Sequence, residues 1–133
     1  RLRQAVLPLR GKILNVENPP KPDKLIKGIK VYDEVGDKKV SKIMARAVKE
    51  LSDCDIAIGT TAGVGHGGIS IITDEYEIVT TTNVFADLCE NNSKRLFQRS
   101  EDGIRKTLKL ILLLLNNEID EIERMENVEI IEK

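Results

Sequence analysis

The chain has 133 residues, 41% hydrophobic and 32% charged, a balance that fits one globular domain and excludes a disordered or fibrous polypeptide. A formal net charge of -1 and an aromatic content of 3%, without tryptophan, exclude the global basic field and the stacking surface on which nucleic-acid binders rely. The core must therefore be aliphatic, and nucleic acid is not an expected partner.

The first apolar stretch, Ala5 to Val16, is split by Pro8 and Gly11 and suggests a short strand over Lys12 to Val16. Asn18-Pro19-Pro20-Lys21-Pro22 follows as an extended connector, because three prolines remove donors and fix φ. Beyond Gly28, Ile29 to Tyr32 has the composition of a strand. Val40, Ile43, Met44, Ala47, Val48 and Leu51 then recur on one helical face, with Asp37 as the expected N-cap. Asp55 to Ile58 is a buried strand ending at Gly59. After the segment Gly59 to Gly68, Ile69 to Thr73 and Tyr76 to Thr82 suggest two strands paired as an antiparallel hairpin. Asn83 is positioned to cap a short helix from Val84 to Glu90. Ser93 is positioned to cap a long one reaching about Asn116, with Gly103 marking a bend or a close contact. Val128 to Ile131 forms an edge strand or a frayed end. The expected fold is α/β: a single compact domain, 1–133, with a mixed β-sheet packed by helices.

Charge and apolarity are unevenly placed. Residues 1–50 carry 13 Lys+Arg against 6 Asp+Glu, and residues 116–133 carry 2 against 7, which a solvated surface explains as well as a partner does. The run Leu110 to Leu115 is far shorter than the roughly 20 residues of a membrane span. It is apolar nearly all round, with one of Leu113 and Leu114 expected to face outward, so a homodimer contact is one way to bury it. No membrane association is expected. Cys54 and Cys89 form no metal-binding pair and suit a reducing cytoplasm as small buried hydrophobes. The opening residue is Arg1 rather than Met, which suits a fragment lacking an N-terminal segment.

The segment Gly59-Thr60-Thr61-Ala62-Gly63-Val64-Gly65-His66-Gly67-Gly68 holds five glycines in ten residues between two strands. Such density implies positive-φ turns or a close backbone approach, and successive backbone amides in such turns form anion-binding nests. Thr60, Thr61, Gly63, Gly65, His66, Gly67, Gly68 and, from the neighbouring strand, Thr81 are the candidate ligand-binding residues for a phosphate, carboxylate or nucleotide. The spacing is neither a P-loop, which requires Lys after the glycines, nor a dinucleotide fingerprint, which requires a following helix. A plain connector is the competing reading. His66, the single histidine, is the one catalytic candidate, as an acid or base near neutrality, and an ordinary loop residue otherwise. Asp74 and Glu75 can be turn acids without any metal role, and no metal site is assigned.

Several segments carry a resemblance. They are Pro20-Lys21-Pro22-Asp23, Ala45 to Val48, Ile58-Gly59-Thr60-Thr61-Ala62-Gly63-Val64-Gly65, Ile72-Thr73-Asp74, Asn83 to Leu88, Gln98-Arg99 and Gly103-Ile104. In order and spacing, from about Asn15 to Leu115, the chain resembles the HcgF-like family of methanogens. That family is linked to biosynthesis of the iron-guanylylpyridinol cofactor of [Fe]-hydrogenase. The resemblance implies a protein that binds guanylylpyridinol, or a GMP-like ligand, and holds its carboxylate as a protein thioester. The family's thioester-forming cysteine lies in an N-terminal segment resembling Thr-Ala-Glu-Cys, which is missing here. Neither Cys54 nor Cys89 stands in a matching motif, so no catalytic cysteine is carried over. A second stretch, Gln4 to Glu17, is similar to the entry into the metal-binding TOPRIM region of gyrase B subunits. That chemistry needs an acidic DxD pair, which Thr73 to Glu77 does not supply. The readings therefore run from a binder of an anionic nucleotide-like molecule, through a non-catalytic structural or oligomer-forming module, to a topoisomerase-related fragment.

Overall fold

The computed structural model describes residues 18–90 and 92–133. The expected strand at Lys12 to Val16 and the gyrase-like stretch 4–17 lie outside the described residues. The proline-rich connector is without regular structure. It leads into a hairpin of β1 (Lys24–Ile26) and β2 (Ile29–Val31), closed by Lys27 and Gly28. Both turn residues have positive φ, 51° and 79°, the geometry of a tight type I′ turn.

Helix α1 spans Glu34–Ser52. Its N-cap is Asp33 rather than Asp37: the Asp33 carboxylate accepts from the Gly36 amide at 2.7 Å. Asp37 instead lies within the first turn, where it is buried. The apolar stripe read from the sequence faces inward, with Val40, Ile43 and Ala47 buried.

The central sheet has the order β3-β5-β6-β8, formed by β3 (Ile56–Thr60), β5 (Gly68–Thr73), β6 (Tyr76–Thr81) and β8 (Val128–Glu132). Each described pairing in it is antiparallel, and the expected hairpin is β5–β6, with Ser70 opposite Val79. Alternation along β5 sends Ser70 to one face and Ile69 and Ile71 to the other. Helix α1 covers the first face, where Ser41 and Ser70 share a buried hydroxyl hydrogen bond of 2.7 Å. Arg46 forks onto Glu77 through two bonds of 2.9 and 3.0 Å, tying α1 to β6.

The second face is covered by α2 (Ser93–Leu115) and α3 (Ile119–Glu123). Ile69, Ile71, Ile78, Leu110 and Ile122 form the core there. Asn92, not Ser93, caps α2, accepting from the Arg95 amide. Gly103 does not break the helix; a β-carbon there would stand 3.1 Å from Thr82, so it marks a close contact. Leu113 and Leu114 both pack against the core, which corrects the expectation that one of them faces outward. Leu112 and Leu115 face outward instead, 60% and 67% exposed. The result is an α/β fold whose sheet is sandwiched between helices. No described helix is long and apolar enough to cross a membrane.

The region expected to form a helix at Val84 to Glu90 contains none. Its residues Ala86–Asp87 form a short strand, β7, paired with β4 (Val64–Gly65) inside the glycine-rich segment. The local helix signal loses to tertiary pairing, which satisfies the loop backbone.

Candidate functional site

The glycine-rich segment is two strand ends and a short loop between them. β3 continues through Gly59 and Thr60, and β5 begins at Gly68. The Thr61 amide donates to the Gly68 carbonyl at 3.0 Å, and the Gly68 amide donates to the Thr61 hydroxyl at 2.7 Å.

The five glycines divide by cause. Gly59 and Gly68 serve packing. A β-carbon on Gly59 would overlap the Ser41 carbonyl oxygen and approach Ala45 N to 2.8 Å; one on Gly68 would overlap the backbone of Asp37. Both lie on the sheet face that α1 crosses, so the helix backbone seats directly on the strands. Gly65 and Gly67 serve conformation, with φ of 128° and 81°. Gly63 has neither constraint, and its carbonyl is an acceptor for Arg99.

Arg99, on α2, holds the loop. One guanidinium nitrogen donates to the carbonyls of Gly63, Gly65 and Ala86 at 2.8, 3.0 and 2.9 Å. Only 5% exposed, Arg99 replaces water for three strand-end acceptors at once. Burial pulls its pKa below the usual value, while Asp37 and Asp87 act in the opposite direction. Nothing local in the sequence singles out this arginine from the other cations of the helix.

On the far side of the loop stands Asp37, 7% exposed. Burial pushes its carboxyl up to about 6, against the Thr61 hydrogen bond and the Arg99 charge, which lower it; Asp33 and Asp23 raise it further. Folding raises this acid's pKa, so the ionised folded form is penalised, and the penalty appears as pH rises from about 4 through about 6. Asp37→Asn is therefore expected to be more stable than the wild type at pH 7, by on the order of 1–2 kcal/mol after allowance for solvent in the adjoining cavity. The two proteins should converge near pH 4. Urea denaturation at both pH values checks this; a difference that is constant with pH would contradict it.

The loop separates two cavities. The larger, 420 Å³, is a cleft between the edge strand β3 and α2. Thr60, Thr61 and Arg99 supply its polar end, and Ile58, Ile104 and Leu108 its apolar walls. The smaller, 270 Å³, lies toward the start of α1 and is bordered by Tyr32, Asp37, Gly65, His66, Thr81 and Phe85. The structure thus places Thr60, Thr61 and Gly68 on the cleft, and Gly65, His66, Gly67 and Thr81 on the smaller cavity. The His66 ring meets Phe85 edge to face at 5.7 Å, and its carbonyl accepts from the Thr82 hydroxyl. The Thr81 hydroxyl accepts from Asn127 at 2.8 Å. Asp74 pairs with Lys49 at 2.6 Å. Burial and Asp87 push the Cys89 thiol up, away from a reactive thiolate. Among the described residues, no group of three or more His, Cys, Asp or Glu side chains is arranged to hold a metal ion.

Residues 7–115 match the family described as FeGP cofactor biosynthesis protein HcgF. A UPF0254 protein of Methanothermobacter thermautotrophicus strain Winter is 46% identical over 93 residues, covering 70% of this chain and 57% of that one. UPF0254 proteins of Methanococcus aeolicus and Methanopyrus kandleri are 43% and 39% identical, over 80% and 84% of this chain and 64% and 62% of theirs. The chain therefore spans about three fifths of the length of these curated relatives. The matched region includes β3, the glycine-rich loop, Asp37 and Arg99. The chain belongs to the HcgF family.

Proposed function

We propose that this chain binds an anionic, nucleotide-like molecule of the guanylylpyridinol type at the loop between β3 and β5. Binding would serve FeGP cofactor biosynthesis in the methanogen cytoplasm. One observation carries the reading: the loop partitions two cavities, with a buried arginine bordering one and a buried carboxyl bordering the other. The cleft combines apolar walls with threonine hydroxyls and a cation, the composition of a pocket for a ring system bearing an anionic group. Its 420 Å³ falls in the usual range of small-molecule sites, about 300–1,000 Å³. The family's role in FeGP cofactor biosynthesis supports a ligand of this class.

Isothermal titration with guanylylpyridinol and with GMP tests the proposal. Saturable one-to-one binding is expected, with inorganic phosphate far weaker than either. The competing reading, a non-catalytic structural module, draws on the packing role of Gly59 and Gly68. It would prevail if neither ligand bound at millimolar concentration.

The same proposal includes a homodimer. Beyond the cleft walls Ile104 and Leu108, Leu112 and Leu115 leave an exposed apolar patch at the end of α2. A second copy is the expected cover. The double variant Leu112→Glu, Leu115→Glu is expected to be monomeric and folded in analytical ultracentrifugation. A wild type already monomeric at high concentration contradicts the contact.

A further inference from the structure

The central sheet has two edges, and they differ in chemistry. β8 carries Glu129 and Glu132, and Lys38 closes on Glu129 at 3.3 Å. Charges of this kind guard a sheet edge against a further strand. β3, Ile-Ala-Ile-Gly-Thr, carries no charge and no proline. It has no bulge either: its register with β5 runs unbroken from Ile56 opposite Thr73 to Thr60 opposite Ile69.

The alternation of an antiparallel pair identifies the outward backbone groups. The Thr61 amide donates to the Gly68 carbonyl at 3.0 Å, so Gly59 and Ala57, at alternate positions before it, also bond toward β5. The amides and carbonyls of Ile56, Ile58 and Thr60 therefore point away from the sheet, and among the described residues no strand pairs with them. The side chains of these three residues share the face toward α2, where Ile58 is 41% exposed. Ile104 and Leu108 stand across the cleft from Ile58, and Leu115 continues their helical face. All three are more than half exposed. The unpaired edge and the apolar side of α2 thus border the same open cleft.

We infer that β3 pairs with β3 of a second copy across a twofold axis, antiparallel and centred on Ile58, joining the two central sheets into one. The inference rests on the homodimer reading and goes beyond it by naming the joint. The segment matches itself: Ile58 meets Ile58, and Ile56 meets Thr60. Each such pair exchanges two N–H···O bonds between groups otherwise left to water. That match to itself selects a second copy over an unrelated extended peptide. Both α2 helices then lie on one face of the joined sheet, so Ile58, Ile104 and Leu108 lose exposure together. The second copy also walls the outer side of the cleft.

Backbone amide exchange of the full chain, read residue by residue below and above the dimer Kd, tests this beside analytical ultracentrifugation. The amides of Ile56, Ile58 and Thr60 are expected to exchange freely in the monomer and to slow by about tenfold or more where the dimer predominates. Ala57 and Gly59 should be protected at both concentrations. Ile58→Pro removes an outward amide that the monomer does not use, so a folded monomer is expected. A wild type that stays monomeric overturns both the inference and the homodimer. A dimer whose Ile58 and Thr60 amides exchange as freely as the monomer's overturns the inference and leaves the α2 contact standing. Protection of these amides in the monomer overturns it too, because another segment of the same chain would hold the edge. So does a dimeric Ile58→Pro. Should the variant not fold, the concentration dependence of the wild-type exchange decides alone.

Discussion

Gly59→Ala and Gly68→Ala are each expected to destabilise the fold by about 3 kcal/mol or more, a fall in Tm of about 10 °C. The added methyl meets backbone, not a flexible side chain: Ser41 and Ala45 for Gly59, and Asp37 for Gly68. Relief requires α1 to lift from the sheet. That would separate the Ser41–Ser70 hydroxyl pair and loosen the Arg46–Glu77 fork. Gly63→Ala is the control, because its nearest neighbour would be 3.6 Å away and its φ is unexceptional. Thermal denaturation of the three variants separates packing from loop flexibility. Three similar losses would mean that the glycines act through the loop and not through the helix contact.

Arg99→Met is the second large effect, with an expected loss of about 3–4 kcal/mol. Charge-assisted hydrogen bonds contribute about 1.5–3 kcal/mol each, and deleting a buried partner exposes the full cost of the acceptors left behind. Three carbonyls on β4, β7 and the loop lose their donor, and Asp37 loses a nearby positive charge. Hydrogen exchange should show the effect concentrated at residues 62–67 and 86–88, while β6 and β8 retain protection. Arg99→Lys keeps the charge and a single nitrogen donor but carries it on a shorter, more strongly hydrated ammonium, so it should fall between the two. Uniform loss of protection across the sheet would show that Arg99 holds the whole core rather than the loop.

These two predictions also show where the sequence was legible. Helix α1 could be read because its apolar positions recur with helical period, and β5 and β6 because β-branched residues flank a short turn. The role of Asp37 was obscured by Gly36 before it, a turn signal that competed with the true cap four residues earlier at Asp33. Val84 to Glu90 carries apolar residues at plausible helical spacing, yet its backbone is claimed by β4, and no local pattern reports the pairing of Val64 with Asp87 and Gly65 with Ala86. Within the site, the glycine density pointed to the right segment but merged two causes. Helix packing accounts for Gly59 and Gly68, and positive φ for Gly65 and Gly67. Arg99 and Tyr32 came to the loop only through the fold, since each stands in an element whose sequence looks like an ordinary solvated face or strand end.

The central claim is that a nucleotide-like ligand occupies the two cavities on either side of the loop. Backbone amide shifts measured during titration with guanylylpyridinol test it most directly. The largest shifts are predicted at Thr60 to Gly68, with further shifts at Asp37 on one side of the loop and at Gly103 and Ile104 on the other. Saturable shifts confined to β8 and α3, with the loop amides unmoved, would contradict it.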